Sequence, residues 1–151
     1  MIAIKGFCER HGACSEGREW ALDECQTMQD VWATAKPEWL IWVATRPGVL
    51  TDRELRLFAC WSVRQIWHLL KDKRSRNAVE VAERYAVGNA TETELADAWA
   101  AARAAAWADA LDAARAAAWA AARAAAGADA GADAGAAQAE YLRKNCTPNF
   151  E

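Results

Sequence analysis

Four residues near the start of the chain, Cys8, His11, Cys14 and Cys25, are of the types that ligate zinc. Cys8-x-x-His11-x-x-Cys14 has ligand-like spacing, and thiolate and imidazole donors suit a tetrahedral site. The tight Cys-x-x-Cys knuckle is missing, so the competing reading is a set of free thiols beside a solvated histidine. Zinc is the one cofactor the sequence raises; otherwise none is expected. Cys60 and His68 invite a nucleophile–base reading. On one predicted helix they would stand about 12 Å apart, beyond the hydrogen-bond reach that activation needs. His68, between Trp67 and Leu69, reads better as a half-buried structural residue.

Glu80, Glu83, Arg84 and Asp97 could cluster with Arg53, Arg56 and Arg64. Paired carboxylates can hold metals or move protons, but such sets more often form a salt-bridged, solvated face. The basic run Lys71, Lys73, Arg74 and Arg76 can touch phosphates or an acidic protein surface. Glu80 and Glu83 follow at once, which argues against nucleic acid as the partner. There is no Gly-rich phosphate loop and no Ser/His/Asp signature. The chain is therefore not expected to be an enzyme.

The elements that would position these residues read as helices. At 151 residues the chain is one domain by size. Nine Trp compensate for an alanine-rich composition, and the net charge of −3 is too small to demand a polyion partner. Five Cys without scaffold spacing, no signal-like apolar run and no long uncharged apolar stretch point to a reducing cytoplasm and no membrane contact. Residues 1–14 show no clear period and are expected to be irregular. Residues 15–90 are expected to form short helices. Ser15 would cap one running to about Ala35, with Trp20, Cys25, Met28 and Trp32 inward. Pro37 would open the next, whose apolar block Trp39–Ala44 should be fully buried. Thr51/Glu54 and Thr91/Glu94 form capping boxes, Asp72 is a further N-cap, and Gly88 is a stop.

From Leu95 to Gly135 every fourth residue breaks an alanine background. Those positions include Trp99, Arg103, Trp107, Arg115, Trp119, Arg123, Gly127, Gly131 and Gly135. A period of four exceeds 3.6, so the stripe drifts about 40° per step and would face successive neighbours in a bundle. Residues 98–110 and 118–130 are a true repeat that differs only where Trp107 becomes Gly127. Unbroken, the helix over 91–145 would span roughly 80 Å, so a bend or break is expected within Gly127–Gly135. The same glycines form two overlapping G-x-x-x-G patterns that would suit close packing or a homo-oligomer. Trp in the core with Arg at its rim is one reading of the ladder. Arg and Trp as interface anchors is the other.

The stretch 52–95 reads DRELRLFACWSVRQIWHLLKDKRSRNAVEVAERYAVGNATETEL, followed by the Ala/Trp/Arg tract and GADAGAAQAEYLRKN. It resembles a group of phage and bacterial proteins with the pattern LRLFAC…R…HLL…RSR.AVE.AERYA followed by alanine-rich helices. More distantly it is similar to predicted all-α immunity proteins of polymorphic toxin systems. The final segment Gly127-Ala128-Asp129-Ala130 lacks the His of the immunity pattern. The resemblance implies an all-α fold and binding of a partner protein.

The expectation is an all-α bundle of about five to six helices. It would act as a non-catalytic, cytoplasmic protein that neutralises a host or toxin-system protein by occlusion. The anchors would be Trp99, Arg103, Trp107, Arg115, Trp119 and Arg123, with Arg74 and Arg76 as a second patch. The alternatives are a small-molecule or nucleotide site in an Ala/Trp-lined pocket, and a self-assembling phage component.

Overall fold

The computed structural model describes the backbone of residues 3–104 and 124–150, and the side chains of 3–104 and 134–150. All regular structure among these residues is helical. In chain order the helices are α1 (Ile4–His11), α2 (Ser15–Glu24), α3 (Met28–Thr34), α4 (Pro37–Ala44) and α5 (Asp52–Gln65). A 3-10 turn over Trp67–Leu69 follows, then α6 (Lys73–Ala86), α7 from residue 92 through 104, and α8 (Ala124–Asn145). These exceed the five to six helices expected. No helix among the described residues is long and apolar enough to cross a membrane.

Hydrogen-bonding side chains set most of the helix starts. Glu54 Oε2 accepts the Thr51 N–H at 2.9 Å, while Thr51 Oγ1 accepts the Glu54 N–H at 3.2 Å. Thr91 and Glu94 repeat this reciprocal box at the start of α7. Each box satisfies amide donors that the first helical turn leaves open. Pro37 occupies the first turn of α4, where its missing N–H costs nothing. Gly88 adopts φ 80°, a left-handed conformation that ends α6 without a Cβ penalty.

Four expectations give way. Residues 4–11 are helical, because Ile4, Phe7 and Cys8 fall on one buried face. The helix foreseen from Ser15 to Ala35 is two helices. Thr27 and Asp30 form a capping box that restarts the chain at α3, and the cap of α2 is Cys14, whose Sγ accepts the Gly17 N–H at 3.4 Å. The Trp39–Ala44 block is buried only at Leu40, Val43 and Ala44. Finally, α8 runs unbroken through Gly127, Gly131 and Gly135. Glycine weakens a helix by about 1 kcal/mol relative to alanine, and here the alanines around it suffice.

The chain falls into two compact units. The core unit comprises residues 1–55 and 133–151; the insert unit comprises residues 56–132.

In the core unit the end of the chain packs among its beginning. Phe150 meets Phe7 edge-on (centroids 5.9 Å, 87°) and Trp32 (6.2 Å, 66°). Asn149 N–H donates to Val49 O at 2.7 Å, and Thr147 N–H donates to Glu54 Oε1 at 3.0 Å. From α8, Ala139 and Leu142 are buried and Gly135 lies 3.5 Å, measured from an ideal Cβ, from Pro37 Cβ. Arg143 donates from Nε to Trp32 O at 3.1 Å, and also to Ala35 O. A cation on the open carbonyls at a helix C-terminus is favourable on both hydrogen-bond and dipole grounds.

In the insert unit Phe58, Cys60, Val81, Ala82 and Ala98 are buried. Arg64 grips Glu83 with two bonds (2.9 and 2.6 Å) and lies 4.0 Å over the Trp67 ring. Arg56 stands 4.8 Å over Tyr85.

Candidate functional site

Of the anchors predicted on the ladder, Trp107, Arg115, Trp119 and Arg123 lie outside the described residues. Trp99 and Arg103, one helical turn apart on α7, are both exposed, Trp99 by 48%. With Ala102 they line an open depression whose other wall is Ser75 and Ala78 of α6. Small side chains on α6 leave the indole and the guanidinium standing above their surroundings. Arg–indole stacking does occur in the insert unit, at Trp67, where Arg64 and Arg76 both approach the ring.

Arg74 and Arg76, predicted as a second patch, are bonded to their own chain. Asp72 caps α6 by accepting the Arg74 N–H at 2.7 Å, and the Arg74 guanidinium closes on the same carboxylate at 2.9 Å. These bonds, side chain first, hold the Asp72 carboxyl down at about 2. Arg76 donates to Leu70 O and Trp67 O, closing the 3-10 turn.

The structure does not gather the four candidate zinc ligands into one site. No group of three or more His, Cys, Asp or Glu among the described residues is placed to hold a metal. Cys8 and His11 share one turn of α1, where Cys8 is buried and the His11 ring rests on Phe7 (centroids 4.5 Å). Cys14 caps one end of α2, and Cys25 ends the same helix, its Sγ 3.7 Å from Thr34 Oγ1. A ten-residue helix thus separates the two. Burial raises the Cys8 thiol, against which Arg18 acts. In the insert unit Cys60 donates to Val79 O, and burial followed by Glu83 raises its thiol too, which suits a packed residue and not a nucleophile.

The structure contains a cleft that none of the candidate site residues named from the sequence, Cys8 and Cys14 apart, locates. It lies within the core unit, between α1, α2, α3 and α4, with a volume of about 330 Å³. Phe7, Trp20, Trp39 and Trp42 supply its aromatic wall. Trp20 and Trp39 stand 5.0 Å apart at 37°. Gly12, Ala13, Gly17 and Ala21 are also on the lining, where their lack of bulk leaves space. A Cβ on Gly17 would come to 3.3 Å from Cys14 Sγ and 3.4 Å from Trp39 Nε1. Among the described residues, the one charged side chain on the lining is Glu38. The cleft also explains why Trp39 and Trp42 are only half-buried. The sequence signal was available in the small residues at 12, 13, 17 and 21 and in the Trp39/Trp42 pair.

Compared with protein-family models, with curated proteins and with solved structures, the chain matches none.

Proposed function

We propose that this chain is a non-catalytic binding protein that engages a partner protein through the Trp99/Arg103 face of α7 and neutralises it by occlusion. The observation that carries the reading is the exposure of a large indole beside a guanidinium over a small-residue floor. Trp and Arg are the residues most enriched among interface anchors. The insert unit also exposes Ile66, Leu69 and Val87. Large apolar groups left in water support association when a partner can cover them. The distant resemblance of the sequence pattern over residues 51–145 to predicted immunity proteins favours an inhibitory role, in a toxin system or in phage–host conflict.

The test compares the wild-type chain with a Trp99→Ala/Arg103→Ala variant in affinity capture from native-host lysate, quantified by mass spectrometry. The reading expects one specific protein to be lost while thermal stability is unchanged. Equal recovery of that protein by both chains overturns it. The self-assembly alternative is weakened at Gly135, where the space beside the glycine already holds Pro37 of the same chain.

A further inference from the structure

We propose that the aromatic cleft of the core unit binds a small planar aromatic cation, an aromatic amine of one or two fused rings. The site is independent of the Trp99/Arg103 face. Its volume of about 330 Å³ falls at the lower end of the range for small-molecule pockets. Four aromatic side chains converge on it from three helices, so a flat ligand gains apolar contact on more than one side.

Charge decides which flat ligand. Indole faces are electron-rich and attract cations. The molecule already uses these rings in that way: Lys36 Nζ stands 3.9 Å over Trp39, and Arg46 stands 4.8 Å over Trp42. Neither cation lines the cleft, whose lining among the described residues carries the Glu38 carboxylate and no basic group. A phosphate or carboxylate ligand would find no basic partner on that lining, and an unpaired charge out of water is strongly disfavoured. This argues against a nucleotide. An ammonium carried on an aromatic ring meets the aromatic wall and the Glu38 carboxylate. Glu38 and Trp39, both in the first turn of α4, both line the cleft.

The test uses the full chain and three probes with one ring system: 2-naphthylmethylammonium, 2-naphthylmethanol and 2-naphthylacetate. Affinities are read by calorimetry and by saturation-transfer NMR. The cation should bind best, the alcohol about fivefold more weakly and the anion least, a spread of the size that one exposed cation–π or charge contact gives. Glu38→Gln, a change at an exposed position, should bring the cation down to the alcohol's affinity. Gly17→Leu should abolish binding of all three, with circular dichroism confirming the fold. Bound cation should also slow alkylation of Cys14, the exposed thiol on the cleft lining. Trp99→Ala should leave every affinity unchanged, which separates this site from the partner face. Equal affinity for the three probes overturns the proposal. So does an undiminished cation preference in Glu38→Gln, or no binding at about 1 mM, a standard free energy near −4 kcal/mol.

Discussion

In the core unit, rings pack on other rings, Phe7 on Trp42 and Phe150, Trp32 on Phe150 and Trp20 on Trp39. Among its described residues only Trp39 and Trp42, at the cleft, also carry a cation, Lys36 and Arg46. In the insert unit, rings are covered by guanidiniums: Trp67 by Arg64 and Arg76, Tyr85 by Arg56. An aromatic face must be shielded from water by something. Where the chain brings apolar partners from far along its length, they do the shielding and a deep core results. Where it does not, the stems and flat heads of arginines lie across the ring and leave neighbouring Ile66, Leu69 and Trp99 in water. The first solution builds a cleft with fixed walls; the second builds a surface ready for a partner.

The sharpest way to break this contrast is to truncate one leucine from each unit. Leu142 has 0% exposure, and Leu142→Ala should cost about 2–5 kcal/mol in urea unfolding. Leu69 is 62% exposed, and Leu69→Ala should change stability by no more than about 0.5 kcal/mol. Comparable losses would show that the insert unit holds a core of its own at Leu69.

Glu54 comes next. Burial raises its carboxyl, but the hydrogen bonds from Thr147 and Thr51 outweigh that and leave it below the usual range. Glu54→Ala removes both the α5 cap and the anchor of the closing segment, for an expected loss of about 1–2 kcal/mol. A midpoint shift no larger than that of Thr91→Ala, which removes a cap alone, would dissociate the two roles.

Gly17→Ala should act in the opposite direction. Alanine is favoured over glycine in a helix by up to roughly 1 kcal/mol. The added Cβ would stand 3.3 Å from Cys14 Sγ and 3.4 Å from Trp39 Nε1, so the gain is realised if these give by a few tenths of an ångström. A drop in melting temperature would mean that the cleft wall cannot shift even by tenths of an ångström.

The smallest effect is in pH. Burial, then Arg10 and Arg46, lowers the pKa of His11 in the core unit. The folded chain therefore favours neutral imidazole, and the stabilisation is present above the unfolded value near 6.5 and lost as pH falls below it. Asp72 in the insert unit, held at about 2, contributes above its unfolded value near 3.9 and loses that contribution as pH falls towards 2. Melting curves from pH 8 to 5 should show a decline that His11→Gln flattens and Asp72→Asn does not.

Residues that act locally made much of the fold legible. Thr51, Asp72 and Thr91 announce helix starts because a cap is satisfied within three residues, and Pro37 and Gly88 follow from backbone limits alone. α1 was missed for the matching reason: its N-cap is Ala3, with no side-chain bond, and its helix is supported by burial of Ile4, Phe7 and Cys8. The restart at Thr27–Asp30 was readable, but the apolar spacing of Met28 and Trp32 continues the α2 pattern and hides it. Ile66 and Leu69 belong to the apolar stripe of α5 on paper, yet the helix ends at Gln65 and the 3-10 turn rotates both into water. The cleft is made by side chains that are missing at Gly12, Ala13 and Gly17, and spacing rules score the residues that are present.

The contact of Phe150 with Phe7 and Trp32 sets an order of events. Everything from residue 56 to 132 must be synthesised between the two halves of the core unit, so the insert unit can begin to fold while its host is still incomplete. Until Phe150 arrives, Trp32 lacks that ring contact and, of the described rings, Phe7 has only Trp42 and His11 beside it. The nascent core unit then exposes the surface it later hides, which makes the interval before closure its most aggregation-prone.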